Sequence, residues 1–222
     1  MTSAPAEKGG GLAAYRARVV RAKRAAILDA AIATFLENGY DRTSLETIAR
    51  TGKVSTGTLF KHFPTKAALF GAIMARVWDA EPGAAPPAPA PGAPRAGLTA
   101  IGLDYARLLR APQVEALFRV VIAEAPRFPE LGRELYERGK APYLARVSAY
   151  LAAEAAAGTL TMTPKEQAEA TRQFLGMIND QIFWPRFLVT DLAIPETEVV
   201  QVVQAAVATI LARYGTPPGN AP

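Results

Sequence analysis

Apolar side chains recur at helical spacing in the first part of the chain. From Ala13 onward the pattern is helical, and Gly39 is placed to end this helix, because a glycine just past the last turn readily takes the left-handed conformation. Residues 1–12 are small, polar and glycine-rich, which is typical of a disordered terminus. The apolar face follows the three- and four-residue steps of an α-helix at Ile27, Leu28, Ala31, Ile32, Phe35 and Leu36.

Two short helices are predicted next. Thr43 and Glu46 form a capping-box pattern, so the second helix is expected over Thr43–Thr51. Gly52 interrupts it, and Ser55 is placed to cap a third helix that ends near His62. Four helices, two of them very short, therefore fit into residues 20–80.

A fourth helix, capped by Thr65, precedes a segment over 81–97 that is rich in proline, alanine and glycine. Proline at this density opposes both helices and sheet ladders. We therefore expect a semi-extended linker or a mobile loop there.

The remainder is predicted to be helical, because alternation of period two does not persist anywhere. Thr163, Pro164 and Glu166 give a strong helix start, and Pro185 should kink or end the helix that they open. The expected helices are 98–111, 112–126, 129–157 with a break near 139–142, 163–184 and 195–213. The sequence thus predicts an all-α protein.

Positive charge is concentrated in the first third of the chain. Of the 222 residues, the first 70 contain 11 Lys and Arg against 5 Asp and Glu, whereas the remainder contains 14 against 15. This asymmetry is typical of a nucleic-acid-binding module joined to a neutral domain, although a solvated basic surface would also produce it. Five of the cations lead into the first helix: Arg16, Arg18, Arg21, Lys23 and Arg24.

The composition excludes several kinds of site. The chain has no cysteine and a single histidine, His62, so disulfides, thiol catalysis and histidine-rich metal sites are excluded. No metal and no cofactor is predicted. The N-terminus lacks the unbroken apolar stretch of a signal peptide, and no apolar run is long enough for a membrane span. We therefore expect a cytoplasmic protein.

The two short helices and the turn between them match a helix-turn-helix unit. In such a unit the second helix enters the DNA major groove and presents its first residues to base edges. The first turn here, Thr56-Gly57-Thr58, is poor in helix propensity. Threonine hydroxyls can bond phosphates or bases, however, and glycine lets the backbone approach DNA. A plain helical hairpin would show the same spacing, and the basic first third favours DNA binding.

Residues 20–70 resemble the DNA-binding domain of TetR-type transcriptional regulators. The resemblance implies a homodimer with one helix-turn-helix per subunit, a palindromic operator in double-stranded DNA, and a helical ligand-binding and dimerisation domain. The corresponding domains are a basic flexible arm over 1–19, the helix-turn-helix domain over 20–70, and the regulatory domain over 71–222. Besides the apolar face of the first helix, the matching residues are Gly39-Tyr40, Thr43-Ser44, Ile48-Ala49, Val54-Ser55, Gly57-Thr58-Leu59, Phe63-Pro64, Lys66 and Leu69.

The resemblance also implies which residues face DNA. Thr43 and Ser44 would contact phosphate, and Lys66 would clamp phosphate at the start of the fourth helix. For His62, packing beside Phe63 at the surface is favoured over a base contact. The full predicted set is Thr43, Ser44, Ser55, Thr56, Gly57, Thr58, Phe60, Lys61, His62 and Lys66.

Three features depart from the family pattern. Gly52 and Lys53 stand where the family usually has alanine and glycine, so either Lys53 takes a positive φ or Gly52 absorbs the turn one residue earlier. Phe60 replaces a tyrosine and lacks its phosphate-bonding hydroxyl, and Thr56 replaces a frequent lysine. We hypothesise that the basic stretch Arg16–Arg24 compensates by reaching the DNA backbone or minor groove.

The C-terminal domain resembles the AefR-like branch of the family over residues 118–139. The family implies dimerisation through the last two helices, here 166–184 and 197–211, and a ligand pocket between the others. Ordinary intrachain core would show the same apolar pattern. The candidate pocket residues are Tyr105, Phe118, Tyr143, Phe174 and Met177, with Glu124, Arg146 or Gln181 as polar anchors.

Three classes of function remain in competition. The favoured one is a homodimeric transcriptional regulator, most often a repressor in this family, that a small molecule releases from DNA. A non-specific chromosome-binding protein would share the basic helix-turn-helix but would not prefer a palindrome. An enzyme is disfavoured, because the chain has no P-loop, GxSxG or HExxH motif and its one histidine lies in the helix-turn-helix.

Overall fold

The computed structural model describes residues 9–78 and 89–216, with side chains from residue 14 onward. Within these ranges the all-α prediction is confirmed: there is no strand, only one isolated antiparallel bridge between Leu160 and Gly215. No described helix is long and apolar enough to cross a membrane. The helices are α1 (Gly9–Asn38), α2 (Leu45–Thr51), α3 (Thr56–His62), α4 (Lys66–Trp78), α5 (Pro94–Leu109), α6 (Pro112–Glu124), α7 (Pro129–Glu134), α8 (Ala141–Ala156), α9 (Pro164–Leu188) and α10 (Glu196–Tyr214).

The N-terminal boundary differs from the expectation. Since α1 begins at Gly9, residues 9–19 are helical, which corrects the flexible arm over that stretch. Alanine and arginine, which dominate residues 13–26, are among the strongest helix formers and account for the extension. Residues 1–8 and residues 81–88 of the expected loop lie outside the described residues. α5 begins at Pro94, inside the expected loop, because proline suits the first position of a helix.

Two other helix predictions can be compared directly. The capping box at Thr163 is confirmed: the hydroxyl of Thr163 accepts from the Glu166 N–H at 3.3 Å, and the Glu166 carboxylate accepts from the Thr163 N–H at 2.8 Å. α9 continues through Pro185 to Leu188, beyond the predicted end. The break expected near residues 139–142 takes the form of a π-helical segment, Leu135–Lys140, between α7 and α8.

The chain divides into two compact units. The first unit comprises the residues up to Ile73 together with Val120–Leu131, and the second comprises Met74–Arg119 and the residues from Gly132 onward. The first unit therefore includes a short stretch that the sequence places in the regulatory domain. Its core contains an aromatic cluster whose ring centroids lie 5.1–6.2 Å apart, formed by Phe35, Tyr40, Phe70 and Phe128.

The second unit packs α5, α8, α9 and α10 around one hydrophobic core. Two glycines of α5 allow this close packing. A Cβ on Gly97 would lie 1.8 Å from the Tyr150 hydroxyl oxygen, and a Cβ on Gly102 would lie 2.7 Å from a Val203 methyl. Any side chain at either position would have to displace buried neighbours.

Candidate nucleic-acid interface

The helix-turn-helix is built by two serine caps. The Ser44 hydroxyl accepts a hydrogen bond from the Thr47 N–H at 3.1 Å and starts α2, and the Ser55 hydroxyl accepts from the Thr58 N–H at 3.2 Å and starts α3. Each cap satisfies a backbone donor that the first helical turn leaves open. The cap at Ser55 is as predicted, whereas α2 is capped by Ser44 and not by Thr43.

The turn between α2 and α3 places a lysine in a conformation that favours glycine. Lys53 has a φ of +52°, whereas Gly52 has a φ of −77°. Of the two alternatives left open by the sequence, Lys53 takes the positive φ, at a cost of about 1 kcal/mol for a residue with a Cβ. Gly52 serves a different purpose: its Cβ would lie 3.2 Å from the Ala30 Cβ, so its absence lets the end of α2 approach α1.

The first turn of α3 is open to solvent. Leu59 and Phe63 are buried and fix the orientation of the helix. On the other side, a Cβ on Gly57 would meet no atom within 4 Å. Ser44, Ser55, Thr56, Gly57, Phe60 and Lys61 are exposed, and Thr58 and His62 are half-buried. These eight predicted residues thus include the accessible start of α3.

Phe60 and His62 illustrate two different surroundings on α3. Phe60 leaves 41% of its surface exposed. The His62 ring lies 6.1 Å from the Phe63 ring, so it is beside the residue that the sequence suggested.

Two predicted phosphate contacts are directed into the protein. Thr43 is 2% exposed, and its hydroxyl donates to the Gly39 carbonyl at 2.7 Å. The Lys66 ammonium donates to the carbonyls of Tyr40, Asp41 and Thr43 at 2.6, 3.1 and 3.1 Å. It also lies 4.4 Å from the centroid of the Tyr40 ring. In the free protein both side chains hold the loop between α1 and α2. Thr43 is therefore not exposed for a phosphate contact, whereas the phosphate contact of Lys66 stays a prediction.

We expect Lys66→Met to lower the free energy of unfolding by about 2 kcal/mol, because three carbonyls lose a charged donor. Burial lowers the pKa of Lys66, against the opposing effect of Asp41 and Glu124. Chemical denaturation would measure the loss. Lys61→Met, at an exposed position of α3, is the matched control and should change stability by less than about 0.5 kcal/mol. If the two variants were equally stable, Lys66 would not anchor the loop, and its predicted phosphate contact would be favoured instead.

The first half of α1 forms an exposed basic surface. From residue 14 to residue 25 every side chain except Val19 is exposed. No acidic residue occurs between residues 13 and 28, while five cations do. Arg24 also lies near the end of α3, with its guanidinium 5.4 Å from the centroid of the Phe63 ring. This half of α1 therefore adds positive charge to the unit that carries α3.

The predicted ligand-binding residues belong to, or pack against, the core of the second unit. Tyr105 and Tyr143 lie together, with ring centroids 5.1 Å apart. Phe174 is fully buried, Met177 borders a groove between α9 and α10, and the Phe118 ring lies 4.7 Å from the Phe183 ring. Of the five predicted ligand-binding residues, only Tyr105 and Tyr143 therefore lie in the same polar site.

That polar site joins α5, α8 and α9. Asp104 accepts from Arg146 at 2.6 Å and from the Tyr143 hydroxyl at 3.3 Å, while the Asn179 amide donates to Tyr105 at 3.3 Å. Burial, followed by the charge of Asp104, raises the pKa of Tyr143 to about 12. The side-chain oxygen of Asn179 is buried and has no hydrogen-bond partner among the described residues. Of the predicted anchors, Arg146 lies here, whereas Gln181 is exposed and Glu124 belongs to the first unit.

Two family models match the chain. The model for bacterial regulatory proteins of the tetR family matches residues 27–73. The model for the C-terminal domain of AefR-like transcriptional repressors matches residues 96–216. The first contains α2 and α3, and the second covers the helices from α5 onward.

Curated relatives match over a short part of the chain. HTH-type transcriptional regulator RutR of Escherichia coli K12 is 44% identical over 64 residues, which are 29% of this chain and 30% of RutR. A-factor receptor protein of Streptomyces griseus is 43% identical over 61 residues, which are 28% of this chain and 22% of that protein. The match thus spans less than a third of the length of either relative.

Solved structures match over most of the chain. The flavonoid-responsive regulator FrrA aligns with a TM-score of 0.73 and 25% identity, covering 90% of this chain and 98% of FrrA. A TetR transcriptional regulator from Agrobacterium tumefaciens aligns with a TM-score of 0.69 and 25% identity, covering 87% and 95%. The similarity therefore includes both units.

Proposed function

Because the chain belongs to the TetR family of transcriptional regulators, which are DNA-binding proteins and not enzymes, we propose that it is a homodimeric repressor of a palindromic operator, released by a small molecule. The observation that carries the proposal is the accessible first turn of α3, where Thr56, Gly57 and Thr58 follow a serine cap. This turn enters the major groove, and two copies contact half-sites about 34–36 Å apart. Such a protein acts in the cytoplasm, where the bacterial chromosome lies.

The exposed basic half of α1 contributes to DNA affinity. Its cations lie on the unit that contains α3 and face solvent. Each phosphate that a cation neutralises releases counterions and steepens the dependence of affinity on salt.

We therefore expect replacement of the five cations, Arg16, Arg18, Arg21, Lys23 and Arg24, by glutamine to weaken DNA binding about 100-fold or more at physiological salt. The slope of log K against log[salt] should become shallower by several units in the dimer, at about 0.9 per lost phosphate contact. Titrations of labelled operator duplex at several salt concentrations would measure both. Unchanged affinity and an unchanged slope would remove α1 from the interface.

The dimer forms through α9 and α10. The two helices border a groove of about 490 Å³ that contains Gly176, Met177 and Thr209. A Cβ on Gly176 would meet nothing within 4 Å, and Ala205, Ala208 and Ala212 on α10 are exposed. Small side chains on exposed helix faces let the helices of a second subunit approach closely, as in a four-helix bundle.

We expect Gly176→Leu to shift the dimer toward monomer by at least about 10-fold in dissociation constant, because overpacking costs roughly 1–3 kcal/mol. Ala152→Leu adds bulk to an exposed position of α8 and should leave the dimer intact. Sedimentation equilibrium of both variants would measure the dissociation constants. An unaffected dimer in Gly176→Leu would place the interface elsewhere.

The effector binds in the second unit, at the polar site of Tyr105, Tyr143 and Asn179. The buried, unpaired oxygen of Asn179 suits a ligand with a hydrogen-bond donor. The structural similarity to a flavonoid-responsive regulator supports an aromatic, hydroxylated effector. Thermal shifts with a panel of flavonoids and simple phenols would identify it, and Asn179→Leu should abolish the shift.

The first unit contains contacts suited to transmitting release. The Asp41 N–H donates to Glu124 at the end of α6 at 3.4 Å, and Arg127 pairs with Asp41 at 2.8 Å. The Phe128 ring lies 5.1 Å from the Tyr40 ring. A ligand that binds more tightly to the DNA-incompetent arrangement shifts the population away from DNA, and displacement of α6 would reach the loop before α2 through these contacts.

A further inference from the structure

A cleft in the first unit lies between α1 and the turn of the helix-turn-helix. It has a volume of about 460 Å³. Its walls carry two ammonium groups and two hydroxyls and no acidic side chain. The lining residues are Ala22, Lys23, Ala26, Gly52, Lys53, Val54, Ser55 and Thr58.

The two lysines of this cleft are available to a ligand. Lys23 and Lys53 are both exposed, and within residues 9–78 and 89–216 neither ammonium has an ion-pair partner. They come from different elements, one from α1 and one from the turn, yet they line the same concave surface. Two uncompensated cations across a cleft attract an anion.

The hydroxyls of the cleft supply a further donor. The Ser55 oxygen accepts from the Thr58 N–H and lies 2.8 Å from the Thr58 hydroxyl oxygen. One hydroxyl hydrogen is used in that contact, which leaves the other free to donate. A tetrahedral anion with several acceptor oxygens would fit two ammonium groups and one hydroxyl donor.

We infer that Lys23 and Lys53 bind one phosphate of the DNA backbone in this cleft, next to the residues that enter the major groove. The inference rests on the proposed function and adds Lys53 to the interface, at a position where the family usually has glycine. The contact offsets the phosphate contacts weakened by Phe60 and Thr56. It also explains why a lysine is retained at a φ of +52°, where glycine would be unstrained.

The test measures how tightly the variants Lys53→Gln, Lys53→Arg and Lys23→Gln bind one DNA duplex. That duplex is first selected from a randomised library by the unaltered protein. We expect each glutamine variant to bind about 10-fold or more weakly and to lose up to about 0.9 per subunit from the salt slope, because the two lysines share one phosphate. Lys53→Arg should keep the slope. Lys140→Gln, at an exposed lysine of the second unit outside α9 and α10, removes the same charge and should change neither quantity.

Lys53→Gly separates a phosphate contact from a structural role. Because glycine relieves the positive φ, this variant should raise the melting temperature while it lowers affinity. Normal affinity and slope in both glutamine variants, with a duplex still selected by the unaltered protein, would overturn the phosphate site alone. Failure of the unaltered protein to select any duplex would overturn the proposed function with it.

Discussion

Replacement of Gly57 by leucine is expected to lower affinity for the operator at least about 100-fold while the protein becomes slightly more stable. In the free protein the site is open, since a Cβ there would meet nothing within 4 Å. Leucine has the better helix propensity, so the free energy of unfolding should rise by up to about 0.8 kcal/mol. If α3 enters the groove as proposed, the added side chain would fill the space through which the backbone approaches the sugar-phosphate, in both half-sites. Lost contacts at one base pair typically cost about 1–3 kcal/mol.

Titration of the operator duplex, together with chemical denaturation, would measure the two effects. Gly57→Ala should have an operator affinity and a free energy of unfolding between those of the parent protein and those of Gly57→Leu. Ala33→Leu adds the same bulk at an exposed position of α1 that carries no predicted DNA contact, and it should leave affinity unchanged. If Gly57→Leu bound the operator normally, α3 would not be the element in the groove.

Glu154→Gln is expected to lower the free energy of unfolding by about 3 kcal/mol at neutral pH. The carboxylate is fully buried, and it accepts from the Gly92 N–H at 2.8 Å, from the Thr159 hydroxyl at 2.5 Å and from the Tyr150 hydroxyl. A carboxamide replaces one acceptor oxygen with a donor, which leaves buried donors unpaired at roughly 1–3 kcal/mol each. Denaturation of the full chain would measure the difference. Glu137→Gln, at an exposed position, is the control.

Because the Glu154 carboxyl titrates, the effect of Glu154→Gln on the free energy of unfolding should depend on pH. Burial raises the pKa of Glu154, but hydrogen bonds from Thr159, Tyr150 and the backbone outweigh it, and the pKa lies below its usual 4.5. A carboxyl whose pKa is lower in the folded state stabilises fully above the unfolded pKa and loses this contribution as the pH falls through the folded value. The stability gap between the parent and Glu154→Gln should therefore be widest near pH 7 and narrow below about pH 4.5. An equal gap at pH 7 and pH 4 would contradict the ionised state.

The local signals of the sequence were sufficient for the helix-turn-helix. Ser55 caps α3, Gly39 has a φ of +78° after α1, and the capping box at Thr163 forms, because each signal depends on neighbours within four residues. The cap of α2 was misplaced by one residue, because a competing local contact takes up the Thr43 hydroxyl. Thr43 and Ser44 are equally suitable caps, and the Gly39 carbonyl engages the Thr43 hydroxyl in the interior.

Long-range placement was not visible in the sequence. Nothing local indicates that three carbonyls converge on Lys66, so its position in the family pattern suggested phosphate instead. The apolar periodicity that suggested Phe174 as a ligand-pocket residue is the same in a hydrophobic core as in a pocket. Tyr150 and Glu154 did offer a signal that was missed: a polar pair four residues apart on an otherwise apolar helix face.

Selection from a randomised duplex library by the purified full chain, at physiological salt, tests symmetric DNA recognition most directly. We predict enrichment of a two-fold-symmetric site whose half-sites lie about one helical turn apart, bound about 10³-fold more tightly than random DNA. Weak binding without enrichment, steeply dependent on salt, would contradict a sequence-specific dimer and would identify a general DNA-binding protein.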